Sequence, residues 1–275
     1  MMKLLLLGIL LLLATKATAH PGVGIVQDAQ GNVYYTDLEN VWKRAPNGQQ
    51  RIVVPRVHTH ELYLDPQGNL YGEHLWYEGE ATNKWKHYVW RLSSGGQLSK
   101  VIPATPGFLT NYSFNRDHSG AMYWAEREAP YRIMKKLPGG KVMVLARGRF
   151  KDVRWQHVTP DGQFYFVDDD ALYVLAADGT IRCLKRNLDE ALSSTAKVNH
   201  NLGGIFSDRQ GNIYVTVTNL RKVQRLSPSG HITTVARSSA PWTASSGLVA
   251  PDGDLWLLEY NTANQLRVRR VRPPQ

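Results

Sequence analysis

The chain has 275 residues, of which 33 are Lys or Arg and 23 are Asp or Glu, giving a formal net charge of +10. The basic residues are dispersed and form no stripe interleaved with aromatic side chains, which argues against a nucleic-acid-binding protein. The only cysteine, Cys183, excludes an intrachain disulfide, so burial of apolar side chains must hold the fold together. We expect Cys183 to be a small buried group in a strand, and the basic run 267–272 to be the solvent-facing side of another strand.

The N-terminus has the pattern of a cleavable signal peptide over residues 1–19. Lys3 precedes an apolar run from Leu4 to Leu13, and the small residues of Ala17-Thr18-Ala19 follow. The apolar run is too short to span a bilayer comfortably, although an uncleaved anchor is the alternative. We therefore expect a secreted or periplasmic protein with no stable membrane span after cleavage. The remaining residues, 20–275, have the length of one large all-β domain.

A turn motif recurs six times along the chain, either as Asp-x-x-Gly or as Pro-Asp-Gly. Its glycines are Gly31, Gly68, Gly120, Gly162, Gly211 and Gly253. Three residues after each glycine stands an aromatic residue, namely Tyr34, Tyr71, Tyr123, Tyr165, Tyr214 or Trp256. Such turns supply the positive φ of a tight hairpin, so each one is expected to join a short apolar strand to an aromatic strand.

Each interval also holds a second turn followed by a further strand, as at Pro228-Ser229-Gly230 before 231–235. Four antiparallel strands, repeated six times at roughly forty residues, indicate an all-β, six-bladed β-propeller. The last blade is expected to have three strands, because Pro273 and Pro274 cannot form a fourth, and side-chain packing must then close the ring. Residues 187–194 are the one helix-like segment, a short capped helix between blades four and five.

The run Tyr34-Tyr35-Thr36-Asp37 is similar to the signature of YWTD propellers. Over residues 24–271 the chain resembles NHL-repeat propellers and the wider six-bladed superfamily that contains the SMP-30/gluconolactonase-like enzymes. This resemblance implies the fold and leaves the activity open, because such propellers serve as hydrolases, lyases and binding platforms.

Polar side chains gather where the second strands are expected to end. Six residues after each repeat glycine stand Asp37, His74, Glu126, Asp168, Val217 and Glu259. The loops after second strands and before first strands lie opposite the glycine turns and meet at the mouth of the central channel, where ligands usually bind. By the resemblance to YWTD propellers, Asp37 and Glu259 are expected to be structural carboxylates that hydrogen-bond backbone groups, while Glu126 and Asp168 fit either role.

Carboxylate and amide oxygens around the channel mouth predict a divalent cation site. Its proposed ligands are Glu61, Asn111, Glu126, Asp168 and Asn201. Oxygen ligands favour Ca²⁺, whereas a histidine ligand would favour Zn²⁺ or Mn²⁺. In the lactonases that the chain resembles, such a cation polarises the lactone carbonyl for attack by water, and Glu61 stands where their glutamate ligand does. Their catalytic aspartate has no clear counterpart, so the catalytic residue stays unassigned.

Blade two carries the densest group of candidate ligand-binding side chains. They are His60, Glu73, His74, Trp76, Tyr77 and Trp85. The two histidines and Glu73 stand with Glu61 at the rim of a single blade, where they should perturb one another's pKa values. The aromatic residues belong to a long loop, 75–88, which either forms a wall or lid for a sugar or aromatic ligand or packs on its own blade.

Two functions are compatible with these features. The first is a metal-assisted hydrolase or related enzyme acting on a small sugar-like or lactone substrate at the channel mouth. The second is a non-enzymatic platform on the same face, as NHL repeats often are. In either case we expect a monomer whose partner is a small molecule, a glycan, a peptide or an envelope protein. Tight binding of one cation that is lost in Glu61→Gln would distinguish the enzyme from the platform.

Overall fold

A computed structural model describes residues 22–126, 131–148, 150, 153–176, 178–188 and 201–273. The predicted signal peptide and residues 189–194 of the predicted helix lie outside these ranges. All regular secondary structure in these ranges is β-strand. The ranges contain no helix that is long and apolar enough to cross a membrane.

The strands form six antiparallel sheets, and within each sheet neighbouring strands follow one another along the chain. We number these sheets as blades one to six. Blade one contains β1 (Ile25–Gln27), β2 (Val33–Thr36), β3 (Asn40–Arg44) and β4 (Gln50–Pro55). Blade two contains β5 (Leu62–Leu64), β6 (Leu70–Tyr77), β7 (Trp85–Leu92) and β8 (Leu98–Pro106). Blade three contains β9 (Met122–Ala125), β10 (Arg132–Lys136) and β11 (Val142–Arg147).

The second half of the chain repeats the same plan. Blade four contains β12 (Val153–Val158), β13 (Phe164–Asp168), β14 (Ala171–Leu175) and β15 (Ile181–Lys185). Blade five contains β16 (Leu202–Ser207), β17 (Ile213–Val217), β18 (Lys222–Leu226) and β19 (Ile232–Arg237). Blade six contains β20 (Thr243–Val249), β21 (Leu255–Tyr260) and β22 (Leu266–Val271). The six-bladed propeller with a three-stranded last blade is thus confirmed.

The core of the molecule lies between the blades, because each four-stranded sheet has two faces to cover. All residues of the second strand β17 are buried, whereas the outermost strand β15 is half-buried to exposed. Between blades one and two, for example, Val41 and Val54 pack with Leu70 and Trp90.

The turns that join first to second strands and third to fourth strands share one face, which we call the glycine-turn face. The other connections lie on the opposite face, which we call the loop face. Alternation of strand direction in an antiparallel blade produces this segregation. All six repeat glycines have φ between +78° and +88°, which explains why glycine recurs there.

The aspartate of each Asp-x-x-Gly turn accepts hydrogen bonds from its own turn and from the tyrosine of the strand that follows. In blade five, Asp208 Oδ1 accepts hydrogen bonds from the backbone N–H groups of Gln210 and Asn212, both at 2.9 Å. Asp208 Oδ2 accepts from Asn212 Nδ2 at 2.6 Å and from the Tyr214 hydroxyl at 2.8 Å. Burial and this carboxylate raise the pKa of Tyr214. The recurrent tyrosine is therefore part of the turn as well as of the core.

We expect Tyr214→Phe to lower the free energy of unfolding by about 1 kcal/mol, because it removes one hydrogen bond to a half-buried carboxylate and keeps the ring. Tyr165→Phe is the matched control, since this tyrosine follows a Pro-Asp-Gly turn and its hydroxyl donates a hydrogen bond to the exposed side chain of Gln163 at 3.0 Å. Urea denaturation of both variants measures the difference. Equal losses would contradict a stabilising role for the aspartate–tyrosine pair.

The ring closes by packing between the first and last blades, as expected for a chain that ends in a three-stranded blade. Ile25 and Tyr35 of blade one share a buried cluster with Trp256 and Leu258 of blade six. In addition, the Ser245 hydroxyl donates a hydrogen bond to the backbone carbonyl of Gly22 at 2.9 Å.

Three local expectations need correction. Blade three has three strands rather than four, because the segment before β9 forms only one isolated bridge, from Arg116 to Met122. Cys183 is exposed rather than buried, because β15 is the outermost strand of its blade. The arginines of β22 are not simply solvated, since Arg267 and Arg269 pair with Glu259.

Candidate functional site

The carboxylates at the ends of two second strands serve the fold. Asp37 accepts hydrogen bonds from the backbone N–H groups of Glu39 and Asn40 and from Trp42 Nε1, at 2.9, 2.6 and 2.6 Å. The side chain of Glu259 is fully buried and accepts hydrogen bonds from Arg267 and Arg269. Both residues therefore serve the fold, but not as expected in detail: the bonds of Asp37 stay within its own blade, and Glu259 binds side chains rather than backbone groups.

The predicted cation ligands have different surroundings in the structure. Within the described ranges, no group of three or more His, Cys, Asp or Glu side chains could hold a metal ion. Glu126 instead forms a two-pronged ion pair with Arg132, at 2.5 and 2.8 Å. Asn111 does not begin a first strand, because blade three lacks that strand, and its carbonyl lies 3.5 Å from Lys136 Nζ.

The other three predicted ligands have separate surroundings. Asp168 ends β13 and is buried. Glu61 is half-buried just before β5, and the carbonyl of Asn201 accepts a hydrogen bond from the backbone N–H of Thr218 at 2.7 Å. All three residues take part in further interactions within the protein.

In blade two, by contrast, the structure brings several predicted residues together on the loop face. The segment that precedes β5 is fixed by Thr59, which is fully buried. Its hydroxyl donates a short hydrogen bond to the Glu73 carbonyl, and its own carbonyl accepts one from the Thr36 hydroxyl of blade one at 2.7 Å. Trp90 Nε1 also donates to the Glu73 carbonyl, at 2.9 Å. These bonds hold His58 and His60, which flank Thr59, against the middle of β6.

Two of these histidines have fixed tautomers. His58 Nδ1 lies 3.0 Å from the carbonyl of Leu38, which can only accept, so this nitrogen carries the proton. The His58 backbone N–H in turn donates to His74 Nδ1 at 2.8 Å, so that nitrogen is unprotonated. Burial lowers the pKa of both residues, and neighbouring positive groups, His60 for His58 and Lys100 for His74, lower it further.

His60 and Glu73 form the imidazole–carboxylate pair of this site. His60 Nδ1 lies 3.3 Å from Glu73 Oε1, and their side chains are 28% and 14% exposed. Because a carboxylate accepts, this contact places the ring proton on Nδ1 and leaves Nε2 with a free lone pair when the ring is neutral. The His58 ring packs edge-on against the His60 ring, with centroids 4.6 Å apart. The grouping of imidazoles and carboxylate predicted for this rim is therefore present.

The predicted aromatic loop is a β-hairpin, because β6 and β7 each extend to eight residues and leave only the turn 78–84 between them. Side chains alternate between the two faces of a strand, so the predicted aromatic wall is divided. On one face the His74 ring stacks on Trp76 at 5.2 Å and contacts Tyr88 at 5.0 Å. On the other face Tyr77 packs on Trp85 at 5.3 Å.

Sequence reasoning missed two members of these clusters. Lys100 Nζ lies 4.3 Å from the centre of the Tyr88 ring. Phe108, which is 44% exposed, stacks on Trp85 at 5.6 Å. Both residues come from β8 or the segment after it, and nothing in their sequence spacing indicates that they meet the hairpin.

No protein-family model and no curated protein sequence matches this chain. Its fold nevertheless recurs among solved structures. A candidate gluconolactonase is 16% identical with a TM-score of 0.58, and the match covers 91% of this chain and 90% of that one. Regucalcin from Agrobacterium tumefaciens, a calcium-binding protein, is 15% identical with a TM-score of 0.58 and coverages of 92% and 90%.

A third similar structure is virginiamycin B lyase from Staphylococcus aureus, in a catalytically inactive histidine-to-alanine variant with quinupristin. It is 15% identical with a TM-score of 0.53, and the match covers 90% of this chain and 83% of that one. The chain has the fold of the gluconolactonase-like propellers. The resemblance noted in the sequence is thus confirmed for the architecture. Similarity at this level shows the fold and does not show an activity.

Proposed function

We propose that this protein is an enzyme that uses His60 as a general base on a small sugar-like or lactone substrate at the loop face of blade two. The contact between His60 Nδ1 and Glu73 is the observation that carries the proposal. A carboxylate on one imidazole nitrogen fixes the tautomer, and the other nitrogen can then take a proton from water or from substrate. The catalytically inactive histidine variant of virginiamycin B lyase, a propeller of similar fold, supports a role for histidine chemistry.

The aromatic rings of the same blade suit a sugar-like substrate. His74, Trp76 and Tyr88 form a continuous aromatic surface on one face of the hairpin, and Lys100 lies over Tyr88. Such a surface can contact the apolar face of a sugar ring, while Lys100 can neutralise a carboxylate or a developing oxyanion. The similarity in fold to a candidate gluconolactonase favours the same substrate class.

The divalent cation expected from the sequence has indirect support, since regucalcin is a calcium-binding protein of the same fold. The residues proposed to hold it do not fit a preformed site, because Glu126 is already paired with Arg132 and Asn111 does not begin a first strand. The mechanism proposed for His60 therefore includes no metal-dependent step. Elemental analysis of the purified protein and of its Glu61→Gln variant measures whether Ca²⁺ binds in addition.

The exposed side of the hairpin supports the alternative function, a binding platform without catalysis. Trp85 is 38% exposed and stacks on Phe108, so the tip presents an aromatic surface to solvent. Such a surface would bind a peptide, a glycan or an envelope protein. In either case we propose a monomeric protein that acts outside the cytoplasm, after removal of the predicted signal peptide.

A panel of sugar lactones, sugar acids and glycosides tests the proposal. We expect turnover of at least one substrate by the wild-type protein and its loss in His60→Gln. His118→Gln is the control, because His118 is an exposed histidine on the glycine-turn face. Binding of a ligand without turnover would favour the platform, and turnover that survives in His60→Gln would refute the assignment of the base.

A further inference from the structure

A second concave surface lies on the glycine-turn face, opposite His60. It is a groove of about 1180 Å³ that extends from blade one across blade two to blade three. This volume exceeds the roughly 300–1,000 Å³ of ordinary small-molecule pockets, so the groove has room for an extended ligand. Tyrosine rings and three cationic side chains stand out among its lining residues.

Arg116 is the strongest recognition element of the groove. Its guanidinium lies between two tyrosines, 4.7 Å from the centre of the Tyr63 ring and 5.1 Å from that of Tyr112. No carboxylate lies within ion-pair distance of Arg116 in the described part of the chain, and its Nε is buried without a hydrogen-bond partner. The two rings therefore hold in place a planar fork of donors that contacts the Tyr112 hydroxyl and has no carboxylate partner among the described residues.

The far end of the groove carries Lys43 and Arg51 of blade one. Lys43 Nζ lies 5.4 Å from the centre of the Tyr34 ring. Neither cation has an ion-pair partner among the residues that the structure describes. Between these cations and Arg116, Tyr63 and Tyr71 of blade two pack together with their ring centres 5.8 Å apart. The lining thus places aromatic rings between two separate points of positive charge.

The carboxylates that line the groove already accept hydrogen bonds from groups of their own turns. Their oxygens are therefore not available to accept further hydrogen bonds from a ligand. Asp65 accepts four hydrogen bonds, from the backbone of Gln67, from the backbone and side chain of Asn69 and from the Tyr71 hydroxyl. Asp28 is held in the same way, and Asp117 also contacts Lys135. The charged donors that remain for a ligand are therefore Lys43, Arg51 and Arg116.

We propose that this groove binds an oligosaccharide that contains uronic acids. In such a polymer each pyranose ring has an apolar C–H face and carries a carboxylate, so flat faces and negative charges alternate along the chain. This alternation matches tyrosine rings flanked by Arg116 at one end and Lys43 with Arg51 at the other. An acidic peptide would satisfy the cations without offering flat faces to the rings.

Calorimetric titration with hexagalacturonate at low ionic strength tests the proposal. Arg116→Met should weaken binding about tenfold to a hundredfold, since it removes charge-assisted hydrogen bonds to a carboxylate. Tyr63→Ala should weaken it about tenfold by removing one stacking face. The matched control is Arg225→Met. Arg225 forms a hydrogen bond with the blade-five tyrosine Tyr214 and does not line the groove.

Control ligands and control variants distinguish binding of a uronic-acid oligosaccharide from binding of a neutral sugar or an acidic peptide. Equal affinity for uncharged maltohexaose, a preference for hexaglutamate, or no binding of hexagalacturonate would each overturn the proposal. Arg116→Lys keeps the charge and loses the planar fork, so it should bind more weakly than wild type at an unchanged melting temperature. Wild-type affinity in either folded Arg116 variant would also overturn it. The groove lies on the face opposite His60, so hexagalacturonate binding is measured separately from turnover in the substrate panel, and either result can fail without the other.

Discussion

Replacing Glu259 by glutamine should lower the free energy of unfolding by about 3 kcal/mol or more. The carboxylate is fully buried in blade six and receives hydrogen bonds from Arg269 at 2.7 Å, from Arg267 at 2.8 Å and from the Ser238 hydroxyl at 2.7 Å. Removing one partner of a buried ion pair is costly because the opposite charges lose their compensation. Denaturant unfolding of wild type and Glu259→Gln measures the loss.

The same site makes stability depend on pH. Burial alone would raise the pKa of Glu259, but hydrogen bonds from Arg269, Ser238 and Arg267 lower it below its usual 4.5. A carboxylate with a depressed folded-state pKa contributes stability above its unfolded pKa and loses that contribution as pH falls through the folded value. The difference between wild type and Glu259→Gln should therefore be full near pH 7 and shrink as the pH falls below 4.5.

The matched control is Asp252→Asn, which removes an exposed partner of Arg270 from the same blade. Exposed ion pairs contribute roughly 0–1 kcal/mol, so this variant should unfold almost like wild type. An equally small effect for Glu259→Gln would mean that the two arginines find other partners, and that the buried carboxylate does not stabilise blade six.

Replacing Glu73 by glutamine should reduce kcat/KM on the substrate found in the panel by about 100-fold to 10,000-fold. Glutamine can still contact His60 Nδ1, but its amide can donate and favour the tautomer in which Nε2 carries the proton and cannot act as a base. The backbone of Glu73 is held by Thr59 and Trp90, so the substitution should leave the fold intact. The effect should appear in kcat rather than in KM.

Steady-state kinetics of Glu73→Gln beside Trp76→Ala separates chemistry from substrate contact. Trp76 belongs to the aromatic surface and not to the imidazole pair, so Trp76→Ala should mainly raise KM. Unchanged kcat in folded Glu73→Gln, or identical kinetic defects in the two variants, would remove the proposed role of the carboxylate.

The repeat made the fold readable from the sequence because turn chemistry is local. A glycine with positive φ and an aspartate that bonds its own turn act within a few residues, so the spacing of Asp208, Gly211 and Tyr214 recurs in all four Asp-x-x-Gly copies of the motif. Blade three shows where this reasoning stops. Its Gly120 turn is present, but the segment before the turn bridges only Arg116 to Met122, so Asn111 does not occupy the predicted strand start.

The candidate site was predictable in part. The group of ionisable residues in blade two was predictable from their positions relative to the Gly68 turn, because all of them belong to one hairpin. In the structure His60, Glu73 and His74 do lie together. The predicted cation site would need side chains from several blades to converge. The distances between side chains of different blades cannot be read from residue spacing in the sequence. Glu126 has an arginine partner six residues later in the chain, and this nearer charge takes the carboxylate.

By itself the sequence determined the number of blades, the position of the glycine turns and the cluster of imidazoles on one blade, since each of these depends on residues close together in the chain. Only the tertiary structure decided that Glu259 pairs with two arginines, how strand alternation divides the aromatic hairpin, and that Tyr63, Tyr112 and Arg116 meet across two blades. The reason is physical: backbone turns are set by local φ and hydrogen bonds, whereas ion pairs and ring stacks are set by how whole blades pack against one another.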